Sequence, residues 1–315
     1  MVNKVGAGEM VVNGIEVRYM VPESLKLKKH LRYVDTFGLL PLIHRLSFDP
    51  VRQSFDPQNL LLTGPKGTGK SLLLAYIAQE SDLPYLSVDC SEDTKERKLL
   101  GGFVARSGST PFVLGTVANA IQVANEYGAA MLVFEELGAL PNTHQKMLNA
   151  LTDFRKKVEV PELAHRFELD PSAKLFVCAT MNPAVYGSGY EINDDLKSRF
   201  VELEMPYPPP AAEKRILRET APVGVNIQDD VLDYLVKIAK ESRQDVTGYA
   251  LSPRDLVQLL QVWSRLGWED TLFLGAQKFS PEDRKVIIDR IKDITRLGVH
   301  ADLKERANAL RLNQT

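Results

Sequence analysis

The octapeptide Gly64-Pro65-Lys66-Gly67-Thr68-Gly69-Lys70-Ser71 carries more information than any other segment of this chain. It satisfies G-x-x-x-x-G-K-[ST], and its flanks fit as well. The apolar run Asn59-Leu60-Leu61-Leu62-Thr63 precedes it, and Leu72-Leu73-Leu74-Ala75-Tyr76-Ile77-Ala78 follows. A strand, a glycine-rich loop and a helix in that order form a phosphate-binding loop. Gly64, Gly67 and Gly69 let the backbone curl so that successive N–H groups converge on phosphate oxygens. The helix opening near Lys70 adds the positive end of its dipole. Lys70 is expected to reach the β- and γ-phosphates and the Ser71 hydroxyl to ligate Mg²⁺, with Pro65, Lys66 and Thr68 completing the cradle. The segment predicts a nucleoside triphosphate as ligand.

Outward from this loop, apolar strands and helices alternate. Leu60–Thr63, Tyr85–Asp89, Ala130–Phe134, Lys174–Ala179 and Phe200–Glu204 read as buried strands, with helical stretches such as Val113–Tyr127 and Gln145–Phe154 between them. Such alternation predicts an α/β fold, a five-stranded parallel sheet covered on both faces. Pro206-Tyr207-Pro208-Pro209-Pro210 fits neither a helix interior nor a central strand and is expected to be a hinge. Beyond it Ala211–Glu219, Asp230–Ser242 and Pro253–Leu266 read as helices, which predicts a smaller all-helical domain. Before the core, Asn13-Gly14 between short apolar runs signals a hairpin. The expected organisation is an N-terminal extension over 1–33, a nucleotide-binding domain over 34–207 and a helical lid with C-terminal helices over 208–315.

A second chemical motif follows. Met131-Leu132-Val133-Phe134-Glu135-Glu136 is an apolar strand ending in two carboxylates. A phosphate-loop ATPase needs an acid there for Mg²⁺ and an adjacent one to polarise the attacking water. Glu135 suits the first role and Glu136 the second.

With these motifs in place the chain resembles the AAA+ ATPases, and among them the MoxR branch, which includes chaperones activating Rubisco and nitric oxide reductase. The resemblance runs from about Leu60 to Trp263. Ala179-Thr180-Met181-Asn182-Pro183 resembles the sensor 1 motif, which implies that Asn182 stands beside Glu136 and orients the water. Leu196-Lys197-Ser198-Arg199-Phe200 is similar to the arginine-finger segment and implies that Arg199 acts on a neighbouring subunit's nucleotide. Leu251-Ser252-Pro253-Arg254-Asp255-Leu256 resembles the sensor 2 segment, which gives Arg254 a role on the lid. Lys98–Val104 through Thr110–Gly115 is similar to the insertion that this branch carries over a ring pore, and Val158–Leu169 to the hairpin before sensor 1. The family implies ATP and Mg²⁺ as cofactors, a homo-oligomeric ring of six subunits, and a protein client or a von Willebrand A domain partner. One departure stands out: the family has aspartate where this chain has Glu135. The extra methylene moves the charge outward by about 1.3 Å.

Arg254 is also legible from local rules. Ser252 suits an N-cap, Pro253 the first helical position and Asp255 the first turn. Leu256, Leu259, Leu260 and Trp263 then form an apolar stripe, leaving Arg254 exposed. Arg199, at the start of a strand, has Asp194 or Asp195 as alternative ion-pair partners. The basic run Lys26–Arg32 reads as a solvated face, His44, His144 and His165 lack metal-ligand spacing, and Gly187-Ser188-Gly189 reads as a loop.

Composition sets limits. The 315 residues are 44% hydrophobic and 25% charged, with a net charge of −2. That balance argues against a nucleic-acid-directed motor, the main competing reading, and against a membrane-binding field. Cys90 and Cys178 close strand-like runs and read as buried free thiols. No stretch reaches the ~20 apolar residues of a membrane span, and no secretory leader is visible, so a cytoplasmic location is expected. A nucleotide-gated scaffold with little hydrolysis is a third reading, which the Glu136, Asn182 and Arg199 set disfavours.

Overall fold

The computed structural model describes residues 2–28, 30–105, 108–182, 191–222, 227, 229–244, 249–266, 271 and 274–284. The Gly187-Ser188-Gly189 loop, Pro183 and the C-terminal helices expected past residue 284 lie outside the described residues. The chain divides into two compact units, Met1–Pro206 and Tyr207–Thr315.

In the first unit the chain runs β1 (Val2–Gly6), β2 (Glu9–Val12), β3 (Ile15–Arg18), α1 (Leu39–Leu46), β4 (Phe48–Asp49), β5 (Ser54–Phe55), β6 (Leu60–Thr63), α2 (Lys70–Glu80) and β7 (Tyr85–Asp89). It continues through α3 (Glu96–Leu99), β8 (Gly101–Phe103), β9 (Phe112–Leu114), α4 (Thr116–Tyr127), β10 (Ala129–Glu135), α5 (Asn142–Met147) and α6 (Asn149–Thr152). It closes with β11 (Lys157–Val160), β12 (His165–Glu168), β13 (Lys174–Met181), α7 (Asp194–Lys197) and β14 (Val201–Glu204).

All five anticipated strands form one parallel sheet in the order β14-β6-β13-β10-β7. Successive residues of a strand point to opposite faces, and here both faces are buried. Leu61, Leu132, Phe134, Val177 and Ala179 pack with α4 on one side. Leu60, Leu62, Met131, Val133, Phe176 and Cys178 pack with α1 and α2 on the other. Two apolar faces explain why the strands read as continuous apolar runs rather than alternating ones.

The N-terminal strands do not stand alone. β1, β2 and β3 form an antiparallel meander, with Asn13 and Gly14 both at positive φ in the β2–β3 turn. β3 then pairs in parallel with β9, giving a second sheet ordered β1-β2-β3-β9-β8. Met10, Val12, Val17 and Tyr19 share a buried cluster with Leu99, Phe112 and Val117. The segment that resembles the pore insertion therefore forms one end of this sheet.

Several boundaries differ from the sequence reading. Val113 lies in β9, and the helix begins only at Thr116, because Gly115 approaches Leu99 and Leu100 too closely for a side chain. The stretch expected as one helix over Gln145–Phe154 is two short helices that end at Thr152, leaving Phe154 94% exposed. Cys178 lies inside β13 rather than at its end. Burial pushes the thiols of both Cys90 and Cys178 upward, Cys90 to about 12.

The second unit contains α8 (Pro210–Thr220), α9 (Asp229–Gln244) and α10 (Pro253–Leu266), and no strand occurs among its described residues. Leu217, Leu232, Leu235, Leu256 and Leu260 form its core. No described helix is long and apolar enough to cross a membrane.

Candidate nucleotide site

The sheet register builds the site. Thr63, the last residue of β6, pairs with Met181 at the end of β13, and Phe134 on β10 pairs with Ala179. The ends of three adjacent strands thus bring Gly64, Asn182, Glu135 and Glu136 to one edge. Gly64 continues the ladder by donating its N–H to Met181 O at 3.3 Å, then turns at φ +143°. A Cβ there would lie 2.1 Å from Met205 O, so only glycine fits.

The loop folds on itself. The Thr68 hydroxyl donates to Pro65 O at 3.0 Å. Gly69 takes the N-cap position of α2 in a left-handed conformation, with no side chain capping the helix. The start of α2 is thus a helix N-terminus of the kind that attracts an anion. Lys70 is buried, and its ammonium donates to Gly64 O at 2.8 Å, Pro65 O at 2.7 Å and Asn182 Oδ1 at 2.8 Å. Lys66 is exposed at the tip of the loop.

The two acids are reached by a turn in the backbone. In a strand they would point to opposite faces, but Glu136 adopts φ 54°, ψ 51° directly after β10 ends. A non-glycine residue in that region costs on the order of 1–3 kcal/mol and is characteristic of functional sites. The turn brings both carboxylates into one network. Ser71 Oγ donates to Glu135 Oε2 at 2.6 Å, and Thr180 Oγ1 donates to the same oxygen at 2.7 Å. Asn182 Nδ2 donates to Glu136 Oε1 at 3.3 Å. The Glu136 N–H donates to Thr180 Oγ1 at 3.1 Å. Lys70, Ser71, Glu135, Glu136 and Asn182 therefore form one connected cluster.

Arg199 stands elsewhere. Val201 lies opposite Leu60, so Arg199 sits at the opposite edge of the sheet from the loop. The separation is roughly six strand residues, or about 20 Å. Its guanidinium pairs with Asp153 at 3.5 Å rather than with Asp194 or Asp195. That contact is loose because Arg155 already occupies Asp153, with Nε and Nη2 at 2.9 and 2.5 Å from Oδ2. The buried Nε of Arg199 has no hydrogen-bond partner. Behind it, Asn59 donates to Arg199 O at 2.9 Å and Thr152 O at 2.6 Å, and accepts from the Lys156 ammonium at 2.7 Å. Burial pushes the Lys156 ammonium down to about 8.

Arg254 belongs to the second unit and is exposed on the first turn of α10. Ser252 and Asp255 cap that turn: Asp255 Oδ2 accepts from Ser252 N at 2.8 Å and Ser252 Oγ at 2.6 Å. Burial works against the Asp255 carboxylate, but hydrogen bonds from Lys278 and Ser252 outweigh it and hold its pKa low.

The residues fit ATP and Mg²⁺. No group of three or more His, Cys, Asp or Glu able to hold a metal occurs among the described residues. A single hydroxyl and a single carboxylate in contact, Ser71 and Glu135, suit an ion that keeps several waters and binds with the phosphates.

Comparison with known proteins agrees with this geometry. Residues 59–200 match the family described as AAA domain (dynein-related subfamily). The chain is 25% identical over 201 residues to Protein CbbQ of Hydrogenophilus thermoluteolus, covering 64% of this chain and 71% of that protein. It is 26% identical over 158 residues to Protein NorQ of Paracoccus denitrificans strain Pd 1222, covering 50% of this chain and 56% of NorQ. Among solved structures, NtrX from Brucella abortus superposes with a TM-score of 0.52 at 16% identity, covering 85% of this chain and 63% of that one. This likeness concerns the fold. The phosphate loop, the paired acids and Asn182 all lie within the matched stretch, so residues 59–200 form an AAA domain similar to the dynein-related subfamily, and the chain is a distant relative of CbbQ and NorQ.

Proposed function

We propose that the chain hydrolyses ATP in an oligomeric ring and uses the energy to remodel or activate a partner protein. The observation that carries hydrolysis is the single cluster joining Lys70, Ser71, Glu135, Glu136 and Asn182. In this reading backbone N–H groups of the loop and of the start of α2 hold the phosphates, and Lys70 exchanges its loop carbonyls for phosphate oxygens. Ser71 and Glu135 hold Mg²⁺, which when bound supplies positive charge that neutralises the phosphate oxygens. Glu136, oriented by Asn182, accepts a proton from water as the water oxygen bonds to the γ-phosphorus. The bond to the β–γ bridging oxygen breaks, giving ADP and phosphate.

The ring rests on Arg199. Its distance from the loop of its own chain, its loose ion pair and its unpartnered Nε suit an arginine that serves a neighbouring subunit's nucleotide. A hexamer is the assembly that the family resemblance implies. On the same grounds Arg254 serves as the lid's anion contact, and the Gly102–Phe112 insertion faces the pore. The partner is a protein client or a von Willebrand A domain protein. A net charge of −2 gives nucleic acid no comparable support.

The test of hydrolysis is Glu136→Gln. Nucleotide binding should persist while turnover falls by on the order of 10²-fold or more. Wild-type turnover in this variant would remove Glu136 from the reaction.

A further inference from the structure

Thr180 was legible only as part of a motif, yet its hydroxyl lies at the centre of the acid pair. It donates to Glu135 Oε2 and accepts from the Glu136 N–H, so one oxygen atom touches both acidic residues. Thr180 is 2% exposed and lies on β13, the middle of the three strands that meet at the site. Its register explains the contact: Phe134 pairs with Ala179, so the next residue on each strand is Glu135 and Thr180.

We infer that Thr180 is a positioning residue that lets a glutamate occupy the metal-holding place, by fixing the Glu135 carboxylate and the turn at Glu136 together. The inference rests on the reading of Glu135 and Glu136 given above. A glutamate has one more rotatable bond than an aspartate and loses more rotamer freedom when held. Two hydroxyls, from Ser71 and Thr180, converge on Oε2 at 2.6 and 2.7 Å. Both contacts fall on Oε2, and among the described residues no hydrogen bond lands on Oε1, the oxygen this inference assigns to the cation. Once Ser71 turns its hydroxyl to a cation, Thr180 is the anchor that stays. Its second bond acts on the backbone: the N–H it accepts from belongs to the residue in the left-handed turn, so the same hydroxyl supports the conformation that aims Glu136.

The experiment uses the full chain and a fluorescent ADP, titrated with and without MgCl₂. In wild type, MgCl₂ should tighten binding. Thr180→Val should lose on the order of 10- to 100-fold of that gain, as loss of an outer-shell partner does, with magnesium-free binding unchanged. Thr180→Ser, which keeps the hydroxyl, should restore it. Should the valine variant fail to fold, Thr180→Ala is read in the same way. A wild-type magnesium gain in Thr180→Val, an equal loss in the serine variant, or a loss of affinity that is the same without MgCl₂ would each overturn the inference. Glu135→Gln separates this failure from failure of the underlying reading. If Glu135→Gln loses the gain while Thr180→Val keeps it, Thr180 alone is misassigned. If Glu135→Gln keeps it too, Glu135 does not hold the metal.

Discussion

The two edges of the same parallel sheet are built in opposite ways. At the edge where β6, β10 and β13 end, every functional side chain is tied to another: Lys70 to Asn182, Asn182 to Glu136, Ser71 and Thr180 to Glu135. At the edge where β14 begins, Arg199 has a 3.5 Å ion pair to Asp153, which it shares with Arg155, and a buried Nε without a partner, while Phe154, next in sequence to Asp153, is exposed. Preorganised groups at fixed distances suit chemistry within one chain. A cation left partly unsatisfied suits contact with a second molecule. In the proposed ring, the first edge supplies one half of a shared site and the second its complement.

The comparison can be broken at either edge. Lys70→Ala should have the largest effect. Lys70 bridges the loop to Asn182, so nucleotide affinity should fall below detection, measured by titration with fluorescent ADP. Arg199→Ala comes next. Turnover should fall on the order of 10³-fold or more, as loss of an arginine finger does, while nucleotide affinity stays within a fewfold of wild type. An equal loss of affinity would place Arg199 at its own chain's nucleotide.

Smaller effects sharpen the description of the Arg199 edge. Asn59→Ala leaves Thr152 O and Arg199 O without their donor, and should destabilise by about 1–3 kcal/mol, read from denaturant midpoints. Lys156 makes a pH-dependent contribution. Its ammonium is pushed from about 10.5 down to about 8 by burial, so the unfolded chain binds more protons between those values. Stability due to this residue should therefore rise as pH goes from about 8 towards 10.5. The difference in stability between wild type and Lys156→Met should shift in favour of wild type over that window, and a flat difference would show that Lys156 is not held in this way.

How much of this was legible in the sequence follows from the range of each interaction. The phosphate loop, the five strands and the α10 cap were readable because each rests on local spacing. The Ser252-Pro253-Arg254-Asp255 cap and the Leu256, Leu259, Leu260 stripe are one helix's own business. The parallel pairing of Val17 with Phe112 was not readable, because nothing local specifies a strand's partner so far along the chain. The same holds for Asp153 as the partner of Arg199. Asp194 and Asp195 were nearer in sequence, but they sit in the first turn of α7 while the corner after α6 folds Asp153 against Arg199. Val113 was misread because an apolar run before a helix fits a strand equally well, and only the close approach at Gly115 decides. The motif around Thr180 was visible, but its link to both acids depends on strand register.

The most direct test of the central claim, that one chain's acids work with another chain's Arg199, mixes two inactive variants. Glu136→Gln and Arg199→Ala are titrated into each other with ATP and Mg²⁺, while phosphate release and oligomer size are followed. A mixed ring contains sites in which an intact Glu136 faces an intact Arg199, and ATP bridging two chains favours assembly by mass action. The account predicts regained phosphate release that peaks at intermediate ratios, in an assembly larger than one chain. Mixtures that release no more phosphate than either variant alone, from a chain that stays monomeric with ATP, would contradict it.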